Sequence, residues 1–386
     1  MRVCGIIAEY DPFHKGHLYQ LNEAKKRSQS DYLICVISTA FTQRGWPALF
    51  STHDRALMAL CCGADLVLGM PAAYSCAQAN RFALGGIGIL RALGPVTHLS
   101  FGVEENTLPY LKEAAHLLQQ PTSAFKESFE AALARGESPA RAQGAALAAA
   151  LGAQAGSELD KPNFNLGIAY IDALNRLGSP MEIVPVIRQG SYHDTKAGPF
   201  PSATAMRGAI LRGAWSLVRG GLSDESRKVA ESCVLEGRIH LPEALDSLLL
   251  ARLQSGEDFS GIDEMTEGLD RRIIKYAPQA ASRSQLIELV KTKRYPYARI
   301  SRALAHCLLG IEKQAARPPQ YARLLGMRKS AAPLLKEIDR GDFPLISRPA
   351  RESLPGIALD MRAEELWYIG AKQPAASAWR NRVIII

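Results

Sequence analysis

The stretch VCGIIAEYDPFHKGH, residues 3–17, decides how the first half of this chain is expected to fold. Its first six residues are an apolar run of strand length, and a turn that contains Pro12 follows. The next segment, HKGHLYQLNEAKKRS, has the apolar spacing of a helix. This order places His14, Gly16 and His17 at the N-terminus of the first helix, at the carboxyl edge of a predicted sheet.

Short apolar runs continue to alternate with helical patterns across the first half of the chain. The strand candidates are RVCGIIAE, YLICVIS, ADLVLGM, THLSFGV and MEIVPVIR. The helical patterns between them include DRALMALCCG, ANRFALGGIGILRALG and LPYLKEAAHLLQQ. Such alternation is typical of a doubly wound, Rossmann-like α/β domain with a parallel sheet, and this is the predicted fold class.

The sequence predicts two domains, which a length of 386 residues accommodates. Residues 1–214 form the predicted α/β domain, with a helical insertion around residues 120–160, where Ala is abundant. The strand signal fades after GPFPSATAMRGAILRG. Residues 215–386 are therefore predicted to form a mainly helical, basic C-terminal domain.

The residue types at the start of the first helix are suited to a phosphate. Free backbone N–H groups and the helix dipole attract an anion there, and Gly16 has no Cβ to obstruct it. Because His14 and His17 lie on one helix face, both can donate to the same phosphoryl oxygens during displacement at phosphorus. The alternative is that they only cap the helix or pair with polar core groups, but their position after the first strand favours function.

A second anion-binding pattern occurs in GPFPSATAMRGAIL. Ser202 and Thr204 fit the N-cap and first turn of a helix, and Arg207 follows one turn later. Two hydroxyls and a guanidinium would then converge on one anion. The alternative is an ordinary capped helix with a solvated arginine. The two patterns together predict His14, His17 and Arg207 as the catalytic residues.

The two patterns resemble the signatures of the nucleotidylyltransferase superfamily, H-x-G-H near the first strand and S/T-x-x-R on a late helix. Longer blocks narrow the resemblance: IIAEYDPFHKGHLYQL, FTQRGWPA, MALCCGADLVLGMP, KPNFNLGIAYIDAL, YHD before PSATAMR, and KTKRYPYARISRAL. These blocks occur in the order seen in the bacterial tRNA(Met) cytidine acetate ligase family, and they cover most of the chain. By this resemblance the chain is identified as a divergent member of that family.

The resemblance implies an ATP-dependent enzyme that modifies tRNA. Members of that family activate acetate as acetyl-adenylate and transfer the acetyl group to N4 of the wobble cytidine in elongator tRNA(Met). ATP is then a co-substrate, and Mg²⁺ is expected with its phosphates, although no dedicated metal ligands are predicted. The implied partners are tRNA and acetate or another small carboxylic acid.

Residues carried over by motif form the implied ATP site. Gly102 looks like the family's glycine after the fourth strand, Asn163 matches a nucleotide-contacting asparagine, and Arg188 matches a basic residue after the fifth strand. Helix capping by Asn163 and solvation of Arg188 are the alternatives. The implied ATP-binding residues are Ile7, Ala8, Glu9, Tyr10, Asp11, Pro12, Phe13, His14, Lys15, Gly16, His17, Leu18, Tyr19, Gln20, Gly102, Asn163, Arg188, Ser202 and Thr204.

Positive charge is concentrated late in the chain. The whole sequence has a formal net charge of +8, and residues 271–330 hold fourteen Lys or Arg against two acids. A segment with this excess of positive charge is expected to bind a polyanion, and its tyrosines can stack on exposed RNA bases. The alternative is a solvated helical face. The predicted RNA-binding residues are Lys291, Lys293, Arg294, Arg299 and Arg302.

The composition of the chain indicates where in the cell the protein is expected. With 47% hydrophobic and 22% charged residues, the chain is globular, and no apolar run approaches the ~20 residues of a membrane helix. Glu9 and Asp11 interrupt the first apolar run before it reaches the length of a signal peptide. Seven scattered cysteines without a C-x-x-C spacing are typical of reduced thiols. A cytoplasmic protein without membrane association is expected.

Six positions depart from the residues usual in the family, several of them near the expected rim of the active site. They are Asp11, Thr39, Ala40, Trp46, Gly69 and Val103. They leave open an adenylyl-transferring enzyme that uses another small acid or nucleophile, and a non-catalytic, nucleotide-responsive RNA-binding protein. The oligomeric state and the general base for the amine also stay open, with His193 and Asp194 as candidates for the base by their position in the chain.

Overall fold

The computed structural model describes residues 1–104, 107–152, 162–188, 201–313, 315 and 317–386. Its strands are β1 (Val3–Ala8), β2 (Tyr32–Ser38), β3 (Leu66–Met70), β4 (His98–Val103), β5 (Glu182–Ile187), β6 (Ala322–Met327), β7 (Leu345–Ile346) and β8 (Ile384–Ile385). Its α-helices are α1 (Lys15–Ser28), α2 (Thr52–Cys61), α3 (Ala72–Ser75), α4 (Ala79–Ala92), α5 (Leu108–Gln119), α6 (Ser123–Ala134), α7 (Pro139–Leu151), α8 (Pro162–Arg176), α9 (Ala203–Leu211), α10 (Trp215–Gly221), α11 (Asp224–Leu235), α12 (Asp246–Leu253), α13 (Leu269–Tyr276), α14 (Arg283–Val290), α15 (Tyr297–Leu309), α16 (Ala332–Ile338), α17 (Ile357–Gly370) and α18 (Ser377–Arg380).

One mixed sheet runs through the molecule in the order β5-β4-β1-β2-β3-β6-β7, with β8 beside β6. The first five strands are parallel. Because β1 lies between β2 and β4, the order in which strands are added reverses at β1. The carboxyl ends of β1 and β4 flank this switch point, where open α/β sheets bind their ligands. The predicted α/β fold class is confirmed.

Alternate strand residues pack on opposite faces of the sheet. Ile7 and Phe101 belong to the core that α4, α5 and α8 cover. Ile6 and Cys35 belong to the core on the other face, which α1 and α2 cover. Helices α1 and α8 therefore lie on opposite faces of the sheet.

The late strand β6 pairs antiparallel with β3, and β7 and β8 pair parallel with β6. These three strands were not among those predicted from the sequence. The run ARLLGM is too short for its periodicity to distinguish a strand from part of a buried helix. Helices α10–α18 still dominate the regular structure after residue 214, and the division into two domains there stays a prediction.

Two helices, α6 and α7, occupy most of the stretch where an insertion was predicted, and they pack against each other. Each begins with a hydroxyl cap. The Thr122 and Ser138 hydroxyl oxygens accept from the backbone N–H groups of Phe125 and Arg141. Capping of this kind satisfies N–H groups that the first turn of a helix leaves without an internal partner.

The helices of the last third share an apolar core that includes Trp367 on α17 and Leu304 on α15. Trp367 is fully buried, and its Nε1 donates to the Ala48 carbonyl at 2.6 Å. This bond fastens the helical part to the loop after β2, beside the first strand's carboxyl end. Across the described ranges, every helix is too short or too polar to cross a bilayer.

Arg55 on α2 fixes the carboxyl ends of β1 and β2. Its side chain is completely buried. The guanidinium donates to the carbonyls of Glu9 at 2.6 Å, Ser38 at 2.9 Å and Thr39 at 2.6 Å, and also to the Phe50 carbonyl at 3.2 Å. The buried Arg55 side chain, whose role the sequence did not indicate, therefore fixes the backbone that leads from β1 into the HKGH segment.

Replacing Arg55 with Met is expected to lower the free energy of unfolding by about 3 kcal/mol or more, because four buried carbonyls lose a charged donor. Arg340→Met is the control, since Arg340 forms only an exposed ion pair with Glu337. The control should change stability by less than about 1 kcal/mol. Urea unfolding of both variants measures the difference, and equal stability of the two would contradict the role of Arg55.

Candidate active site

A cavity of about 510 Å³ opens at the carboxyl edge of the sheet, at the switch point between β1 and β4. Its wall is formed by the end of β1, the start of α1, the end of β4, α8 and the start of α9. The volume is in the range of cavities that hold small molecules and cofactors. The two anion-binding patterns of the sequence therefore line one cavity.

His14 and His17 form a stacked pair at the start of α1, with ring centroids 3.7 Å apart and planes 20° from parallel. His14 is the N-cap, and the Gly16 backbone N–H donates to its Nδ1 at 3.0 Å. The His14 backbone N–H donates to Nδ1 of His17 at 3.2 Å. Both histidines thus cap the helix reciprocally, and both also line the cavity.

These contacts determine where each imidazole carries its proton. A neutral ring whose Nδ1 accepts a hydrogen bond carries the proton on Nε2. Burial, with Arg188 and then Arg207 nearby, lowers the pKa of His14 to about 3. Burial, followed by His14 and Arg188, lowers the pKa of His17 well below its ordinary value. Near pH 7 both rings are neutral, and each keeps one Nε2–H for an anionic ligand.

Aromatic packing holds the histidine pair from below. The Tyr10 and Phe13 rings lie 4.9 Å and 5.6 Å from the His17 ring, centroid to centroid. Both aromatic side chains are buried. A Cβ at Gly16 would lie 2.9 Å from Cε1 of His14, so the position requires glycine for the His14 ring to stay in place.

Arg207 on α9 joins the second pattern to the first. Ser202 caps α9 by accepting from the Ala205 backbone N–H at 3.2 Å. Arg207 Nη1 donates to the Asp11 carbonyl at 2.7 Å, and Nη2 donates to Thr204 Oγ1 at 3.0 Å. These bonds orient the guanidinium at the cavity wall, and the Arg207 side chain is 31% exposed.

Gly102, Asn163 and Arg188 line the same cavity, as their predicted role requires. A Cβ at Gly102 would meet no atom within 4 Å, so the backbone there borders open space. Asn163 Nδ2 donates to Glu104 Oε1 at 2.9 Å. The Arg188 backbone N–H donates to the Val103 carbonyl at 2.8 Å, which continues the β4–β5 pairing to the cavity wall.

Most of the predicted ATP loop also lines the cavity: Ile7, Ala8, Glu9, Tyr10, Asp11, His14, Gly16, His17, Tyr19 and Gln20. Four residues of this described loop do not form its wall: Pro12, Phe13, Lys15 and Leu18. Phe13 and Leu18 instead pack in the core on the α1 face of the sheet. The structure thus places most of the predicted ATP-loop residues around one cavity. Their roles in binding ATP stay predictions.

Tyr170 is a wall residue that sequence analysis missed. It lies on the same face of α8 as Asn163 and Leu166, and this i, i+3, i+7 spacing is the signal that indicates it. Its hydroxyl is buried and has no hydrogen-bond partner among the described residues. Glu9 faces the same cavity, accepts from the Gln43 backbone N–H at 2.7 Å, and has a pKa raised mainly by burial.

Of the six departures, Asp11 and Trp46 contribute to the described wall of the cavity. Arg283 stacks on Trp46, with its guanidinium carbon 3.6 Å from the ring centroid. The other four are buried within or directly after the strands: Thr39, Ala40, Gly69 and Val103. A Cβ at Gly69 would lie 3.2 Å from Thr39 Cγ2, so a side chain at this position would require its neighbours to shift slightly.

The loop that carries Trp46 connects the cavity to the basic segment. A Cβ at Gly45, whose φ is +75°, would lie 2.5 Å from the Ser301 carbonyl oxygen on α15. The Ser301 hydroxyl donates to the Arg44 carbonyl, and Arg283 Nη2 donates to Ser301 Oγ at 2.6 Å. One wall of the cavity therefore rests directly on α15.

The predicted RNA-binding residues fall into two groups. Three are exposed on the surface: Lys291, Lys293 and Arg294. The other two, Arg299 and Arg302, have side chains only 13% exposed. They form ion pairs of 3.1 Å with Glu267 and 2.9 Å with Glu264. The exposed group can reach a phosphate directly, whereas Arg299 and Arg302 hold the turn before α13 against α15.

Within the described residues, no group of three or more His, Cys, Asp or Glu side chains is arranged to hold a metal ion. The cavity carboxylates of Glu9 and Asp11 accept backbone N–H groups, from Gln43 and from Leu49 respectively. This donor set does not form a cage for a resident Mg²⁺ ion. The candidate bases His193 and Asp194 lie outside the described residues.

Comparison with known proteins agrees with this geometry. A family model described as HIGH Nucleotidyl Transferase matches residues 1–381. The tRNA(Met) cytidine acetate ligase of Fervidobacterium nodosum is 37% identical over 90% of this chain and 84% of its own length. That of Syntrophomonas wolfei is 31% identical over 97% and 96%. The crystal structure of Thermotoga maritima TmcAL bound with alpha-thio ATP superimposes with a TM-score of 0.91 at 28% identity, covering 100% of both chains.

A Rossmann-like sheet with two neutral histidines at the start of its first helix defines a nucleotidyl transferase of the HIGH type. Within that class, the chain belongs to the tRNA(Met) cytidine acetate ligase family. The family resemblance stated from the sequence is thereby confirmed, and so is an ATP-dependent ligase as the class of enzyme.

Proposed function

We propose that this protein activates acetate with ATP as acetyl-adenylate and acetylates N4 of the wobble cytidine of elongator tRNA(Met). The observation that carries the proposal is the pair of neutral imidazoles, His14 and His17, in one cavity with Arg207. The names of the relatives and the ATP analogue bound to the Thermotoga maritima protein support the same reaction.

In the first half-reaction, a carboxylate oxygen of acetate attacks the α-phosphorus of ATP, and the bond to the bridging oxygen breaks to release pyrophosphate. Negative charge grows on the phosphoryl oxygens as this bond breaks. The Nε2–H groups of His14 and His17 and the Arg207 guanidinium stabilise that charge without reorganising. Mg²⁺ that enters with the ATP phosphates would supply further charge neutralisation.

In the second half-reaction, the cytidine N4 amine attacks the acetyl carbonyl carbon. A C–N bond forms, the C–O bond to the phosphate breaks and AMP leaves with that bond's electron pair. The nitrogen loses one proton, which passes to water. The RNA must therefore bring a base to the cavity. The contact between Gly45 and Ser301 supports an approach from the α15 side, because the cavity wall and the basic segment adjoin there.

Mass spectrometry of tRNA nucleosides tests this function. The protein is incubated with ATP, Mg²⁺, total bacterial tRNA and a panel of short carboxylic acids. N4-acetylcytidine in methionine tRNA, formed only with acetate, is the expected product. A different acyl group would support the alternative acid, to which Trp46 in the cavity wall points. Firm tRNA binding without any acylation would support a binding protein and contradict both enzymatic functions.

Neutralising Lys291, Lys293 and Arg294 together, each to Gln, is expected to weaken tRNA binding and flatten its salt dependence. The slope of log K against log salt should fall by up to about 0.7 to 0.9 per lost phosphate contact. Lys112, Lys126 and Arg135 are also exposed, and changing these three to Gln is the control with the same loss of charge. An equal effect of both triple variants would show that location does not matter.

A further inference from the structure

Glu267 lies between two arginines of the predicted RNA surface. It precedes α13, and its backbone adopts φ of 59°, in the left-handed region that non-glycine residues rarely occupy. Its Oε2 accepts from Arg294 Nε at 3.4 Å and from Arg299 Nη1 at 3.1 Å. One carboxylate oxygen therefore occupies the space that two guanidinium groups share.

The turn that carries Glu267 is fastened to the arginine pair at several points. Arg299 Nη2 donates to Thr266 Oγ1 at 2.8 Å, and the Tyr295 hydroxyl donates to the Glu267 carbonyl at 2.5 Å. The Arg299 and Arg294 guanidinium carbons lie 5.4 Å and 6.0 Å from the centroid of the Tyr295 ring. These contacts fix the positions of the two guanidinium groups around the carboxylate.

The contact is open to solvent on the Arg294 side. The side chains of Arg294 and Glu267 are 56% and 37% exposed, whereas that of Arg299 is 13% exposed. The exposed pair with Arg294 contributes only about 0 to 1 kcal/mol, so an anion with better acceptors that approaches from this side can compete with the carboxylate. A phosphodiester has two unesterified oxygens and matches guanidinium groups in a bidentate way.

We propose that Glu267 is an internal competitor that occupies a phosphate-binding site formed by Arg294 and Arg299 until a backbone phosphate of the RNA displaces it. This inference rests on the proposed function, which supplies the RNA. Arg294 and Arg299 are then available to RNA despite their ion pairs. The same contact lowers affinity for polyanions that make no further contacts, because each must first displace the carboxylate.

Glu267→Gln tests the proposal, because glutamine keeps the size of the side chain and removes its charge. We expect tRNA to bind about two- to fivefold more tightly, the equivalent of losing an exposed competing ion pair. We also expect the salt dependence to steepen by up to about 0.7 to 0.9 in slope. Adding Arg294→Gln to this variant should abolish most of the gain.

Glu288→Gln is the matched control. Glu288 is also exposed and lies 4.0 Å from Lys291, but it does not bridge two arginines. Unchanged or weaker tRNA binding by Glu267→Gln, or an equal gain from Glu288→Gln, would overturn the proposal. If Glu267→Gln lowers the melting temperature, Glu267→Asp is the second variant, because aspartate keeps the charge but holds it farther from the arginines. Its tRNA affinity should increase, but by less than is expected for Glu267→Gln. A wild-type protein that does not bind tRNA would overturn the RNA function as well, which separates the two failures.

Discussion

Replacing His17 with Ala is expected to lower the rate of acetate adenylation by about 10²-fold or more, the effect of removing one preorganised donor to a developing negative charge. The reason lies in the geometry, because the neutral ring offers an Nε2–H while its Nδ1 is occupied by the His14 backbone N–H. Exchange of labelled pyrophosphate into ATP in the presence of acetate measures this step alone.

Two further variants make the result specific. Lys26→Ala, in the last turn of the same helix, should leave the exchange rate within about twofold, because Lys26 is exposed and far along α1. His17→Gln, which keeps an N–H donor, should retain more activity than His17→Ala. A folded His17→Ala variant with wild-type exchange would remove the histidine pair from the mechanism.

Replacing Gly102 with Val is expected to raise the KM for ATP by about 10- to 100-fold, because the added side chain would enter the space that the nucleotide is proposed to occupy. The fold should tolerate the change. A Cβ at this position meets no atom within 4 Å, and valine is favoured in strands such as β4. Gly102→Ala should give a smaller effect, so the pair forms a graded series.

Steady-state kinetics and thermal unfolding together separate the outcomes for Gly102. A raised KM at unchanged melting temperature would show that the new side chain obstructs the ligand and does not disturb the sheet. An unchanged KM in a folded Gly102→Val variant would place the nucleotide elsewhere in the cavity.

The parallel part of the fold could be predicted because each strand is a short apolar run followed by a turn and a helical pattern. The same local order placed His14 and His17 correctly at the helix N-terminus. The strand β6 could not be predicted, since its partner β3 lies more than 250 residues earlier and only the tertiary fold brings them together.

Residues that belong to a sequence motif could be predicted as part of the site. Residues whose role depends on contacts with distant parts of the chain could not. Arg55 appeared in the sequence as part of an ordinary helix, yet it binds carbonyls at the ends of two strands. Arg299 and Arg302 appeared as free basic residues, yet acids from the turn before α13 pair with them. Local sequence contains no sign of such pairings, because they depend on how separate helices pack.

ATP–pyrophosphate exchange by the purified wild-type protein with Mg²⁺, measured with and without acetate and in the absence of tRNA, tests whether this cavity adenylates acetate. If His14, His17 and Arg207 catalyse adenylation of the acid, exchange should appear only when acetate is added and should not require RNA. Absence of exchange with acetate, in a protein that binds ATP and tRNA, would contradict the account.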